Sequence, residues 1–170
     1  MDKFKEFISS YNNFPKKGVD FKDVLGIAQH PSVFSELITK MASTKIIKNA
    51  EAIISIDARG FIFGSALSLL VSKPMITARK PGKLPGELVH KKYSLEYGEN
   101  SLSMQKDSLK NFNSFAIVDD LLATGGTSEC VYKLVNEAQK KVTGLIVAVE
   151  LEKLNARKKL KFPILSIIKY

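Results

Sequence analysis

Cysteine, arginine and long apolar runs are all scarce in this sequence of 170 residues. The single cysteine, Cys130, cannot form an internal disulfide, and its place on the apolar face of a predicted helix indicates a buried, unreactive thiol. No apolar run approaches the ~20 residues that a membrane span requires, and the charged first residues differ from a signal peptide. We therefore expect a cytoplasmic protein that makes no membrane contact.

Arginine is rarer than the net charge of +9 would suggest. Only Arg59, Arg79 and Arg157 are present, and the remaining basic residues are lysines scattered over predicted helix faces and tails. That scatter is typical of solvated charge rather than of a nucleic-acid interface, so we expect no nucleic-acid partner. Arg59 and Arg79 fall in loops at predicted strand ends, and a guanidinium in such a loop suits bidentate contact with phosphate.

Apolar periodicity predicts strands that alternate with helices. The predicted strands cover residues 52–56, 74–78, 115–120, 142–151 and 164–168. The predicted helices cover residues 2–11, 60–72, a stretch from Pro31 toward Asn49, and a segment that includes residues 130–138. A two-stranded excursion is predicted at residues 93–97 and 101–105. This alternation predicts an α/β fold with a doubly wound, mostly parallel sheet flanked by helices, in one domain that spans residues 1–170.

Residues 115–127 read FAIVDDLLATGGT and carry the most chemistry in the chain. Asp119 and Asp120 sit at the carboxyl end of a buried strand, where open α/β sheets bind ligands, and a carboxylate pair there suits sugar hydroxyls or magnesium. The loop that follows is poor in bulky side chains, so its backbone N–H groups and two hydroxyls can surround an anion at a helix start. That loop comprises Ala123, Thr124, Gly125, Gly126 and Thr127.

The segment VDDLLATGGT resembles the ribose-phosphate motif of the type I phosphoribosyltransferases. The resemblance implies that Asp119 and Asp120 bind ribose hydroxyls and that residues 123–127 bind the 5-phosphate of 5-phosphoribosyl 1-pyrophosphate (PRPP). It also implies the fold of that family, with an N-terminal hood (about residues 1–30) and a flexible catalytic loop (about residues 79–98).

Two further segments resemble the adenine phosphoribosyltransferases within that family. Residues 54–64, ISIDARGFIFG, resemble the pyrophosphate loop, which implies that Arg59 binds pyrophosphate and takes part in catalysis. Residues 79–98, RKPGKLPGELVHKKYSLEYG, resemble the flexible catalytic loop. The resemblance implies that Arg79 and Lys83 bind pyrophosphate and that Glu96 and Tyr97 form the Glu-Tyr pair of the loop, with Glu96 handling a proton near the base.

The hood and a late segment extend the resemblance. Residues 14–24, FPKKGVDFKDV, resemble the adenine hood, which implies that Phe21 stacks on the base and that Val19, Asp20 and Lys22 lie alongside it. Residues 150–160 resemble a segment in which the family carries a glycine before an arginine. Here Ala156 replaces that glycine, so we expect either a right-handed turn or a different local path.

The resemblance implies an enzyme of purine salvage that converts adenine and PRPP to AMP and pyrophosphate, with inversion at the anomeric carbon. It implies a magnesium ion (Mg2+) held mainly by PRPP oxygens and water, with no direct protein ligand, and a homodimer. Three alternatives stay open: another acceptor base such as guanine or xanthine, a non-catalytic regulatory protein on the same fold, and charge-driven nucleic-acid binding.

Overall fold

A computed structural model describes residues 3–95 and 98–170. Part of the predicted hood is a strand pair. A 3-10 helix at Lys3–Phe7 leads into antiparallel strands β1 (Ser9–Asn12) and β2 (Asp20–Asp23), and a second 3-10 helix follows at Val24–Gln29. The predicted helix over residues 2–11 is therefore wrong at residues 9–11. One helical turn already buries Phe4 and brings Ile8 into the core, and the exposed strand β1 has no apolar face that would hold a longer helix.

Runs rich in isoleucine and valine form the central sheet. The remaining strands are β3 (Ala52–Ile56), β4 (Met75–Ala78), β5 (Leu88–Leu95), β6 (Gly98–Gln105), β7 (Ser114–Leu122), β8 (Lys141–Glu150) and β9 (Ile164–Lys169). Five of them form a parallel sheet in the order β4-β3-β7-β8-β9, whereas β5 and β6 form a separate antiparallel hairpin. The prediction of a mostly parallel sheet is confirmed, and the hairpin is longer than the predicted excursion.

Helices cover both faces of the sheet. They are α1 (Pro31–Ala42), α2 (Lys45–Lys48), α3 (Gly60–Val71), α4 (Lys106–Lys110), α5 (Gly126–Glu137) and α6 (Ala156–Lys159), with a 3-10 turn at Glu152–Leu154. Helices α1 and α3 pack in one apolar cluster, and α5 packs with the hairpin in the other. Among the described residues, none of the helices combines the length and apolar character that a membrane crossing requires.

The predicted helix from Pro31 toward Asn49 is divided in two by Thr44. Its side chain accepts a hydrogen bond from the backbone N–H of Ile47 and so caps the start of α2. The short helix α4 was not predicted from the sequence.

The sheet order creates a crevice between β3 and β7. The chain leaves β3 for α3 on one face of the sheet, and it leaves β7 for α5 on the other face. The two connections therefore diverge at the carboxyl edge of these neighbouring strands, which is where open α/β sheets bind their ligands. The predicted acidic pair and the predicted arginine loop both lie at this edge.

Gly64 allows α3 to approach β3 closely, and we expect Gly64→Ala to destabilise the protein. A Cβ atom at Gly64 would lie 2.3 Å from Ser55 Oγ and 2.6 Å from Ser55 Cβ. Overpacking of this kind costs about 1–3 kcal/mol, which corresponds to a loss of about 3–10 °C in Tm, measurable by calorimetry. Ser65→Ala, at an exposed position on the same helix, is the control and should melt like the parent protein. An unchanged Tm in Gly64→Ala would contradict this account of the contact.

Candidate active site

Asp119 and Asp120 lie on the central strand β7, next to the start of helix α3. The strand continues past them to Leu122. The backbone N–H of Asp120 donates a hydrogen bond of 2.9 Å to Asp119 Oδ1. Gly60 opens α3 directly beside this carboxyl group, because a Cβ atom at Gly60 would lie 2.8 Å from Asp119 Oδ1. Only a residue without a side chain fits there, and the positive end of the α3 dipole comes close to the acidic pair.

Both carboxyl groups of the acidic pair titrate above the ordinary range of aspartate. Burial raises the pKa of Asp119 well above its usual value, and the charge of Asp120 raises it further. Burial also raises the pKa of Asp120, although the Arg59 guanidinium acts in the opposite direction. The pair therefore holds a proton more readily than exposed aspartates do, and a partner that donates hydrogen bonds or carries positive charge would stabilise its ionised form.

Arg59 connects the acidic pair to the hood. Its Nε lies 2.9 Å from Asp120 Oδ2, and its guanidinium carbon lies 5.3 Å from the centroid of the Phe21 ring. Asp120 Oδ2 is buried and accepts no hydrogen bond within the described part of the chain, so its contact with Arg59 is an ion pair only. The structure thus brings together three residues that the sequence placed in three separate predicted subsites.

The loop of residues 123–127 turns from β7 into α5 through Gly125. Gly125 has a φ of 82°, a left-handed conformation that favours glycine, and it precedes the first residue of the helix. Leu160 and Ala156 support the loop from behind, since a Cβ atom at Gly125 would lie 3.1 Å from Leu160 and 3.3 Å from Ala156. The first backbone N–H groups of the twelve-residue helix have no partners within the helix and can face an anion.

Arg79 and Lys83 meet at the start of the predicted catalytic loop. Arg79 pairs through Nε with Asp57 Oδ2 at 2.9 Å, and its Nη1 donates a hydrogen bond to the backbone oxygen of Lys83. Asp57 belongs to the Arg59 loop, where the Asp57–Ala58 peptide bond is cis. The two basic segments are therefore joined by this aspartate. Sequence reasoning missed Asp57, although its place directly after a buried strand was a signal for it.

The hood presents Phe21 toward Arg59 and leaves its neighbours in different surroundings. Phe21 contacts Phe14 edge to face at 5.1 Å, whereas Val19 and Asp20 are exposed. Lys22 is largely shielded, because its ammonium group lies 2.9 Å from Asp20 Oδ2 and 2.8 Å from Ser10 Oγ. Glu96 and Tyr97, predicted for the catalytic loop, lie outside the described residues.

The late segment that carries Ala156 follows the right-handed path that was one of two expectations. Asn155 takes the left-handed conformation, with a φ of 53°, and Ala156 begins helix α6. The side chain of Ala156 is buried, where it supports the loop at Gly125.

A cavity of about 440 Å³ lies elsewhere, between the hairpin, α4 and the C-terminal half of α5. Its lining residues are Leu88, Val89, His90, Lys106, Leu109, Lys110, Leu134, Glu137, Ala138 and Lys140. The cavity includes none of the predicted site residues. The crevice between β3 and β7 remains the candidate active site because the charged groups converge there.

Several known proteins that are similar to this chain are adenine phosphoribosyltransferases. No family model matches the sequence. The chain is 68% identical over 169 residues to the adenine phosphoribosyltransferase of Prochlorococcus marinus strain MIT 9515, with 99% of both chains covered. Its structure is similar to that of adenine phosphoribosyltransferase from Thermoanaerobacter pseudethanolicus, with a TM-score of 0.91, 39% identity, and coverage of 99% of this chain and 98% of that one.

A second solved structure bears on ligands. The Saccharomyces cerevisiae adenine phosphoribosyltransferase, crystallised with D-2,5-dideoxy-2,5-imino-altritol 1,6-bisphosphate and adenine, has a TM-score of 0.84 and 31% identity, with 96% of each chain covered.

The raised pKa of Asp119 predicts that Asp119→Asn stabilises the protein at neutral pH. Between the unfolded pKa, near 3.9, and the raised folded pKa, the folded state binds more protons than the unfolded state, so stability falls as pH rises. Asparagine removes this penalty and keeps an oxygen for the Asp120 N–H. We expect Tm to rise by at least about 2 °C at pH 7.5, with the gain shrinking toward pH 4.

Asp107→Asn is the matched control for this pH test. Asp107 is fully exposed, and its hydrogen bond with Lys110 lowers its pKa, so its removal should give no gain at pH 7.5. A loss of stability in Asp119→Asn at neutral pH, or a gain of equal size at both pH values, would contradict the assignment.

Proposed function

This chain belongs to the adenine phosphoribosyltransferase family, and from that premise we propose how its residues divide the work of the reaction. The enzyme transfers the phosphoribosyl group of PRPP to adenine, which yields AMP and pyrophosphate and so salvages a purine base. The observation that carries the proposal is the position of Arg59, which pairs with Asp120 at 2.9 Å and lies over Phe21. Sites for sugar, pyrophosphate and base would all lie within reach of one guanidinium.

The ribose phosphate binds at the end of β7. Asp119 and Asp120 accept hydrogen bonds from the ribose hydroxyls, and these bonds favour the ionised carboxylates that burial disfavours. Backbone N–H groups of residues 123–127 and the hydroxyls of Thr124 and Thr127 bind the 5-phosphate at the start of α5. Support for this assignment comes from Gly125, whose left-handed conformation turns the loop into the helix.

Pyrophosphate binds to Arg59, Arg79 and Lys83. Arg79 lies 2.9 Å from Asp57, and Asp57 is two residues before Arg59, so the three cations lie on two linked loops. When pyrophosphate departs, these cations stabilise the negative charge that develops on it. The guanidinium groups also orient the leaving group, because each can bind two phosphate oxygens at once.

Magnesium fits this site as an ion that arrives with the substrate. Within the described ranges, no group of three or more His, Cys, Asp or Glu side chains is arranged to hold a metal ion. The carboxylate oxygens of the acidic pair lie next to Arg59, which is part of the proposed pyrophosphate site. Magnesium is commonly bound through substrate phosphates and water, with few protein contacts. When bound, the ion neutralises charge on the pyrophosphate group.

Adenine binds against Phe21, with Val19, Asp20 and Lys22 alongside through backbone or nearby contacts. A base that stacks on Phe21 needs the ring face that Arg59 covers at 5.3 Å in the structure. Pyrophosphate offers Arg59 another partner, so its binding would clear this face for the base. Because the Arg59 side chain is about one-third exposed, it has room to move.

The catalytic loop closes over the reacting groups and excludes water from the sugar cation that develops during transfer. Glu96 takes up the proton that adenine loses, and Tyr97 is the other member of the Glu-Tyr pair. The middle of strand β5 is attached to α5, because Lys91 pairs with Glu137 and the Cys130 thiol donates a hydrogen bond to the Lys91 backbone oxygen. Strand β5, which leads to the Glu-Tyr pair, is therefore anchored on the helix that follows the phosphate loop.

A panel of bases tests the proposed acceptor. With PRPP and magnesium present, pyrophosphate release with adenine should exceed release with guanine, hypoxanthine or xanthine by at least about a hundredfold in kcat/KM, because polar groups that hydrogen-bond the base reject a base that leaves them unpaired. The variant with both Asp119→Asn and Asp120→Asn should stay folded and lose at least about a hundredfold in kcat.

Each contrary result of the panel identifies a different error. Preference for guanine or xanthine would reassign the acceptor base. No release with any base, together with PRPP binding, would favour a regulatory protein. Normal turnover in the double variant would remove the ribose assignment from the acidic pair.

We also propose a cytoplasmic homodimer that forms through helix α3. This twelve-residue helix contains no charged residue, although a quarter of the whole chain is charged. Ile62, Leu69 and Leu70 on α3 are exposed, and Leu69 reaches 83% exposure. Two chains that each carry a net charge of +9 repel one another, so an uncharged apolar face is the surface on which they can meet at least cost.

Replacing both Leu69 and Leu70 with lysine should separate the proposed dimer. Light scattering coupled to size exclusion should give twice the 18.8 kDa chain mass for the parent protein and the single mass for the variant. Leu154→Lys changes an exposed leucine outside α3 and serves as the control, which should keep the parent mass. A parent protein of single mass, or a double variant of doubled mass, would contradict the proposed interface.

A further inference from the structure

Two lysines from the N-terminal part of the chain contact the ring of Tyr170. The ammonium nitrogen of Lys5 lies 4.8 Å from the ring centroid, and that of Lys22 lies 4.7 Å from it. Lys5 belongs to the first 3-10 helix, Lys22 to hood strand β2, and Tyr170 directly follows strand β9. These contacts connect the hood to the carboxyl edge of the central sheet, and we name them the Tyr170 clamp.

Tyr170 is held firmly by the sheet. Its backbone N–H donates a hydrogen bond of 2.9 Å to the backbone oxygen of Glu150, and its backbone oxygen accepts one of 2.9 Å from the N–H of Glu152. Its side chain packs against the apolar cluster that contains α1 and α3. The ring is therefore a fixed surface, whereas strand β1 is exposed along its whole length and a two-stranded sheet has little stability of its own.

Lys22 connects the Tyr170 ring to strand β2, which carries the proposed base subsite at Phe21. Its side chain is only 10% exposed, and a cation shielded from water makes a stronger contact with an aromatic ring. The bonds from its ammonium group to Asp20 and Ser10 hold both hood strands to the same point. Phe21 is adjacent on β2, and neighbouring residues of a strand project to opposite faces. The Tyr170 clamp therefore lies behind the strand whose front carries Phe21.

We propose that Tyr170 is a positioning residue that sets the place of Phe21 and thereby the affinity for adenine. The proposal rests on the proposed function, because it takes Phe21 as the surface on which adenine stacks. Tyr170 itself touches no substrate. Its effect passes through Lys22 and strand β2, so it should act on the base and not on the sugar phosphate. The sugar phosphate binds at the carboxyl end of β7, on groups that the clamp does not contact.

Tyr170→Leu removes the ring and keeps an apolar side chain, whereas Tyr170→Phe keeps the ring face that the two lysines contact. Steady-state kinetics should show that Tyr170→Leu raises the KM for adenine by about three- to tenfold, while kcat and the KM for PRPP stay within about twofold. Tyr170→Phe should restore the parent KM. Phe21→Ala marks the effect of losing the stacking surface itself.

Amide hydrogen exchange tests the clamp without any turnover. In Tyr170→Leu, amides of residues 9–23 should exchange at least about threefold faster than in the parent protein, with parent rates in Tyr170→Phe. Amides of β7 should exchange at the parent rate in both variants, which would exclude general destabilisation.

The two measurements separate this proposal from the proposed function. Equal increases in both KM values, parent kinetics in Tyr170→Leu, or parent exchange over residues 9–23 would each overturn the positioning role. Were the parent protein inactive with adenine, the proposed function would fail, and faster exchange confined to the hood would still support the clamp.

Discussion

The site depends on the electrostatics of two adjacent carboxylates, Asp119 and Asp120, near the end of a central strand. One guanidinium, that of Arg59, lies beside them. Burial and mutual repulsion raise the pKa of Asp119, and a pair of this kind is tolerated only with close partners. Arg59 supplies one partner, and the glycine that opens α3 allows the helix dipole to approach. The buried negative charge of the pair also favours ligand binding, since a ligand that donates hydroxyl groups or brings a cation stabilises the ionised carboxylates.

Arg59 couples parts of the site that differ in rigidity. Asp120 belongs to a central strand of the sheet, whereas Phe21 belongs to a short and largely exposed pair of strands. The Arg59 guanidinium contacts both, so it can exchange one partner for another without breaking hydrogen bonds of the sheet. Its movement would affect mainly the hood, whose strands have little stability of their own. Support for the hood must then come from elsewhere in the fold, and the ring at Tyr170 is the rigid surface available to it.

Local sequence pattern predicted the parts of the fold that local physics determines. Strand β3 matches its predicted bounds, and the other four strands of the sheet were placed within two residues at every end, because buried parallel strands are unbroken apolar runs. The acidic pair and Arg59 could be placed at the carboxyl edge for the same reason. The hood pairing depends on partners that the local pattern does not show, and the contact of Lys22 with Tyr170 joins residues far apart in the sequence. Such contacts leave no periodic signal.

The third arginine has a structural role that supports the loop at Gly125. Arg157 binds Glu150 through two hydrogen bonds of 2.8 and 2.7 Å, and Ser166 donates a third to the same carboxylate. The bond from Arg157 lowers the pKa of Glu150, so this buried carboxylate stays charged and the pair holds α6 against β8. Ala156 begins that helix and lies behind Gly125. With Asn155 taking the left-handed position, alanine can replace the glycine of the family and the loop keeps its support.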